Sequence, residues 1–217
     1  MKNLLIILLI SSINLVCAQI PSDTKSVKKD YYNLEDALKN PKEVYRLTLD
    51  STAVKIPTAT WAKFSNLEFL SLKNDHLKNI PDGIGSLKNL KILDLSGNDF
   101  QTLPSSFGKL KNLREIYLND EKNFQLEKSI SMLNKLQNLK TLHLENDNLK
   151  QLPKNFFSLK ALENLYLNNN HFESVPERIK ELKNLKYLDF HHNDLNPDFN
   201  SNSIKIPEPN FGIKIKF

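Results

Sequence analysis

The chain has 217 residues, of which 40% are hydrophobic and 25% charged, with a formal net charge of +5. That apolar content is enough for a continuous core, and five glycines are too few for a collagen-like or glycine-linker architecture. The mildly basic balance favours solubility and weak attraction to anionic surfaces, and decides nothing about fold.

Residues 1–18 read as a targeting segment. Lys2 supplies a positive start, residues 4–10 are an unbroken run of Leu and Ile, and Val16-Cys17-Ala18 forms a small-residue cleavage site before Gln19. The run is too short to span a bilayer and no later stretch competes with it. The expectation is a signal peptide and an exported protein that is secreted, periplasmic or held at the cell surface, with no transmembrane segment in the mature chain. Cys17 is the only cysteine, so the mature chain is expected to hold no disulfide and no cysteine metal site. A lipoprotein anchored at Cys17 is the lesser reading, because Val16 stands where lipidation takes a smaller residue.

Residues 19–43 form an N-terminal segment. The polar stretch 19–30 reads as poorly ordered. Residues 33–39 read as a short helix, with Asn33 as N-cap and Pro41 beyond its end. Leu34 and Leu38 share a face, which is expected to cover the open apolar edge of the coil that starts at Val44.

From Val44 onward the sequence repeats. Segments starting at Val44, Leu67, Leu90, Leu139 and Leu162 are 23 residues long, the one starting at Leu113 has 26, and an incomplete one starts at Leu185. Such self-similarity marks a solenoid whose units bury their apolar faces only against their neighbours. The first half of each unit alternates, as in Leu90-Lys-Ile-Leu93-Asp-Leu95, which predicts a short strand with Leu93 and Leu95 inward and Ile92 and Asp94 outward. In the second half Pro81, Pro104, Pro153 and Pro176 share one position, and the pairs Ile84/Leu87, Phe107/Leu110, Phe156/Leu159 and Ile179/Leu182 are spaced i, i+3. A short 3₁₀ or helical turn fits that spacing, and proline has no N–H to lose at its start.

The unit starting at Leu113 departs from the rest. It lacks the proline, contains the charged run 119–123, and predicts a longer convex helix over 128–136. A tolerated surface insertion is the plainer reading and a protruding contact loop the functional one. After Leu195 the repeat stops at Asn196-Pro197-Asp198. Two alternating stretches, ending in Ile204-Lys-Ile206 and Ile213-Lys-Ile215-Lys-Phe217, read as strands of a C-terminal cap over 196–217, arranged as a hairpin around 207–212.

The run Leu-x-x-Leu-x-Leu-x-x-Asn-x-Phe-x-x-Leu-Pro at 90–104 closely resembles the leucine-rich repeat family, in its typical 23-residue class as found in exported bacterial proteins. Residues 44–195 carry the resemblance. It implies an α/β fold: a curved right-handed solenoid with a concave parallel β-sheet and convex 3₁₀ or short-helix turns. It implies recognition of another macromolecule on the concave face, and no catalytic residues or cofactor to carry over. Family members place Asn at the ninth repeat position, where its amide can both donate and accept. Asn98, Asn170 and Asn193 fit, Asp75 and Asp147 can only accept when ionised, and Thr52 and Glu121 fall outside the pattern. The first coil and the long coil are therefore expected to be the loosest.

Outward residues of successive strands stack at about 4.8 Å per coil. The fifth position runs Thr48, Ser71, Asp94, Tyr117, His143, Tyr166, Asp189, and the third Arg46, Phe69, Ile92, Glu115, Thr141, Asn164, Tyr187. Tyr117, His143, Tyr166, Tyr187, Asp189 and His191 are the candidate partner-binding residues, because tyrosine offers rigid contact area plus a hydroxyl. A metal site from Asp189, His191 and His143 is disfavoured by the two coils between them, and no nucleophile motif accompanies the histidines. A row of Lys88, Lys91, Lys111, Arg114, Lys140, Lys160, Lys183 and Lys186 lines one edge. It offers the second reading, contact with an anionic envelope polysaccharide. The concave face mixes both signs, which argues against nucleic acid. The chain thus reads as a non-enzymatic module that binds a protein partner.

Overall fold

The computed structural model describes residues 29–49, 56–196 and 212–217. The leader with Cys17, Thr52, and the strand expected at Ile204 and Ile206 lie outside them. The repeat resolves into one nine-stranded parallel sheet whose strands follow chain order. They are β1 (Asp30–Tyr31), β2 (Arg46–Thr48), β3 (Phe69–Ser71), β4 (Ile92–Asp94), β5 (Glu115–Tyr117), β6 (Thr141–His143), β7 (Asn164–Tyr166), β8 (Tyr187–Asp189) and β9 (Lys214–Lys216). The register pairs each residue with its repeat equivalent, for example Leu70 with Leu93 and Tyr117 with His143.

Strand alternation sets the core. The fourth-position residues Leu47, Leu70, Leu93, Ile116, Leu142, Leu165 and Leu188 are all fully buried, each contributing on the order of 2 kcal/mol. Opposite them stand the convex turns. Asp82–Ser86, Ser105–Lys109, Lys154–Ser158 and Glu177–Glu181 are 3₁₀ helices, and each follows its proline directly. After Pro57 the short helix α2 (Thr58–Trp61) takes this role and buries Trp61. Gly83 packs against it so closely that a Cβ there would lie 2.2 Å from the Trp61 ring.

The helix α1 (Leu34–Lys39) begins where expected, with the Asn33 side chain accepting the Asp36 N–H at 2.8 Å. Ala37 is fully buried and Leu34 and Leu38 pack beside it on the core. Of the polar stretch 19–30 only residues 29 and 30 lie within the described residues; Asp30, with Tyr31, pairs with Arg46 and Leu47 and extends the sheet by one strand.

One expectation is corrected. The long coil's helix, α3, spans Leu126–Leu133 rather than 128–136. Leu126, Ile130 and Leu133 are its buried face at i, i+4, i+7, while Leu136 is drawn into the turn through its N–H to the Leu133 carbonyl. At the C-terminal end, the strand read near 213–217 forms as β9 and pairs with β8 in parallel, Ile215 against Leu188, which prolongs the solenoid sheet. The other arm of the expected hairpin lies outside the described residues.

Candidate interaction surface

Each strand from β3 to β8 is followed by a turn that the sequence encodes at the eighth repeat position. Asn74, Gly97, Asp120, Asn146, Asn169 and His192 all have φ between 54° and 70°. Asn, Asp and Gly tolerate this left-handed backbone better than other residues. His192 is therefore a turn residue, with Nδ1 3.1 Å from the Asn169 side-chain oxygen.

The ninth-position ladder locks these turns together. Asn98 accepts the N–H groups of Asp75 and Leu77 and donates to the carbonyls of Leu72 and Leu95. Asn170 repeats the arrangement with Asp147, Leu149, Leu144 and Leu167. The long coil is not a break in this ladder. Glu121 is buried and accepts the Asn98 N–H at 3.0 Å, and Asp147 accepts the Glu121 N–H at 2.8 Å. One added methylene lets Glu reach the position that Asp or Asn fills elsewhere.

On this frame the structure brings all six candidate residues together on β5 to β8 and the turn beyond. Tyr117 and His143 stack with ring centroids 3.9 Å apart and planes 12° off parallel. His143 and Tyr166 stack at 4.2 Å and 8°. Tyr187 follows at 5.4 Å, tilted by 53°. His143 is only 7% exposed and Asp189 only 5%. Both face the concave side, yet their neighbours cover them. They hold the surface in place, and Tyr117, Tyr166, Tyr187 and His191 present it.

Two carboxylates missing from the sequence-based set complete the arrangement. The Nε2 of His143 lies 3.1 Å from Glu115 Oε1, and its Nδ1 lies 3.1 Å from Glu145 Oε1. Tyr117 also donates its hydroxyl to Glu115 at 2.6 Å. A neutral imidazole has one N–H and could serve only one of these acceptors. Burial works against the imidazolium, but the bonds to Glu115 and Glu145 outweigh it and raise the pKa of His143. The same contact holds Glu115 below its ordinary value. Glu145 is findable by continuing the strand alternation two residues past His143. Further along, Asp189 binds the His191 ring, the Tyr187 hydroxyl at 3.2 Å and Lys216 at 3.4 Å. Burial opposes ionisation of Asp189, and the His191 and Lys216 contacts prevail, leaving its pKa lowered. Lys216 comes from β9.

Tyr166 stands between His143 and Asp189, so these two do not meet across the face. Among the described residues no three His, Cys, Asp or Glu side chains are placed to hold a metal ion, and no helix is long and apolar enough to cross a membrane.

The lysine row is heavily committed to its own protein. Lys91 pairs with Glu68, and Lys140 and Lys186 both pair with Glu163. Lys88, Lys111 and Lys160 donate to the carbonyls of Gly85, Lys135 and Glu181. The ion pairs offset part of the charge the edge can offer to an anionic polymer, and the carbonyl bonds occupy some of its donors.

The repeats match a family model described as a leucine-rich repeat region over residues 47–141, and another described as leucine rich repeat over 131–195. No curated protein matches the chain significantly. Among solved structures it is similar to a leucine-rich repeat protein of Leptospira interrogans, at 28% identity and a TM-score of 0.52, covering 77% of this chain and 54% of that one. It thus spans about half the length of that protein. It is similar to Toll of Drosophila in its complex with Spatzle, at 20% identity and a TM-score of 0.64, covering 75% of this chain and 22% of that one. It is also similar to internalin C2 of Listeria monocytogenes, at 20% identity and a TM-score of 0.53, covering 81% and 82%. At 20% identity the last two show a shared fold alone. The repeat consensus, the one-to-one strand register and two model matches that run from β2 past β8 lead to one assignment: the chain belongs to the leucine-rich repeat family.

Proposed function

We propose that this protein is a non-enzymatic interaction module, exported from a bacterium, that binds a protein partner on the concave face of β5 to β8. The observation that carries the reading is the Tyr117–His143–Tyr166 stack. Its inner ring faces are packed against each other and its middle ring is clamped by Glu115 and Glu145. The tyrosines are therefore immobilised before any partner arrives and offer ring edges and hydroxyls. Immobilised aromatic anchors lose little further side-chain entropy on binding. A sugar would need open ring faces, which the stack withholds from its interior. Export rests on the leader read at residues 1–18. The test is a photo-crosslinking side chain placed at Tyr166 and, separately, at Lys88 on the rim. Crosslinking of one protein species from Tyr166 alone supports the reading. Crosslinking from Lys88 alone refutes it.

A further inference from the structure

The ladder changes chemistry at two successive rungs. At Asn98 and Asn170 one side-chain atom accepts and the other donates to backbone carbonyls. At Glu121 and Asp147 the first oxygens do the accepting, from the N–H groups of Asn98 and Glu121. Their second oxygens, Oε2 of Glu121 and Oδ2 of Asp147, are buried and have no hydrogen-bond partner among the described residues. The side chains are 2% and 8% exposed. By the repeat register, the carbonyls facing the Asp147 rung are those of Leu118 and Leu144. Either can accept from an acid at Asp147, since the Leu167 carbonyl accepts from both Asn170 and Asn193. An ionised carboxylate has no proton to give, whereas a carboxylic acid has one. Ionisation would also set two charges in adjacent buried rungs, and among the described residues neither is in an ion pair with a cation.

We propose that Glu121 and Asp147 are neutral carboxylic acids in the folded protein, standing in for two ladder asparagines, and that they make the junction between the long coil and the next one a joint that alkali loosens. The charges with the largest influence on the pair are acidic. Asp94, Asp99 and Asp120 act on Glu121, and Glu121, Asp120 and Glu145 act on Asp147. Burial is the largest influence and pushes Glu121 up to about 8 and Asp147 up to about 9. The bonds accepted from the backbone work the other way and do not prevail. Because the folded values lie above the unfolded ones, the stability these groups contribute is complete below the ordinary carboxylate range. It is lost as pH rises through about 8 to 9. Each group can change the local opening equilibrium by up to about tenfold per pH unit between the ordinary carboxylate range and its folded value. The joint adjoins the stacked face, since Glu145 belongs to both the His143 clamp and the surroundings of Asp147.

The experiment compares the purified protein with a Glu121→Gln/Asp147→Asn variant. Thermal unfolding and amide hydrogen exchange over residues 119–147 are followed from pH 5 to pH 9.5, beside infrared absorption at pH 7. The wild type is expected to lose Tm steadily with rising pH, to open this segment faster than intrinsic exchange explains, and to show a protonated-carboxyl band that the variant lacks. The variant is expected to flatten both profiles. An unchanged slope in the variant overturns the proposal, and so does a wild-type Tm that falls toward acid instead. Should the variant fail to fold, the infrared band of the wild type decides: its absence at pH 7 is fatal to the proposal.

Discussion

The side-chain amide of Asn138 donates to the carbonyl of Lys111 in the coil before it, at 2.8 Å. Asn66, Asn89, Asn112 and Asn184 make the same bond to Lys42, Ser65, Lys88 and Lys160. This is a second asparagine ladder, running along the junctions between coils. Ala161 occupies the equivalent place one coil after Asn138. It leaves the Gln137 carbonyl without that donor, beside a cleft of about 250 Å³ lined by Leu136, Leu139, Ala161 and Leu162. Ala161→Asn has room to restore the rung. It is expected to stabilise the protein by about 0.5–1.5 kcal/mol, read as a higher urea midpoint at unchanged m-value. An unchanged or lower midpoint contradicts the ladder's assigned role.

Asn98 is a complete rung of the first ladder, like Asn170, and it is buried. Asn98→Ala leaves the N–H groups of Asp75 and Leu77 and the carbonyls of Leu72 and Leu95 without their side-chain partner. The expected cost is on the order of 3–5 kcal/mol, from several buried polar groups left unpaired. Asn98→Asp keeps the accepting half and should cost less. Chemical denaturation of the two variants orders them, and equal losses would mean that the accepted bonds contribute nothing.

The His143 clamp has a pH window with two edges. His143 is raised above its ordinary 6.5, so its contribution is complete below that value and is lost as pH climbs through the folded pKa. Glu115 is held below its ordinary 4.5, so its contribution is present above that value and is lost as acid protonates it. Proton NMR of the imidazole C–H resonances should show His143 titrating above 6.5, and Glu115→Gln should move the midpoint down. A His143 midpoint at or below 6.5 in the wild type contradicts the two-carboxylate clamp.

Gly97 sits at the left-handed turn position with φ of 70°. A Cβ there would meet the Asn74 side-chain oxygen at 2.0 Å, although that flexible group can move aside. Asn holds the same backbone at Asn146 and Asn169. Gly97→Asn is therefore expected to change stability by less than about 0.5 kcal/mol, while Gly97→Val should cost about 1–2 kcal/mol from the backbone alone. Thermal unfolding of both variants checks the contrast, and equal stability of the two would remove the conformational argument.

The periodic features were legible because period and proline are local signals. Strand placement, the inward fourth position and the 3₁₀ turns after Pro81, Pro104, Pro153 and Pro176 all follow from residues close together in the chain. The row of Tyr117, His143, Tyr166 and Tyr187 was legible for the same reason, once each strand was stacked on its equivalent. What the sequence concealed depends on neighbours in other coils. His143 is covered because tyrosines flank it one coil away on each side, and its clamp needs Glu115, 28 residues earlier. Glu121 looks like a mismatch by residue type and is a rung by geometry, since its length compensates for its chemistry. Asp30 and Tyr31 lie in a polar stretch, and only the open edge of β2 gives them a partner.

The most direct measurement is capture of envelope and host-surface proteins by residues 19–217, beside a Tyr117/Tyr166/Tyr187→Ala variant, at low and high salt. The account predicts a protein partner that survives high salt, because aromatic contact is little screened, and that the variant loses. Circular dichroism should confirm that the variant keeps its fold, since the three side chains lie on the outer sheet surface. Capture that collapses with salt and is unchanged in the variant would contradict the account and move recognition to the lysine edge.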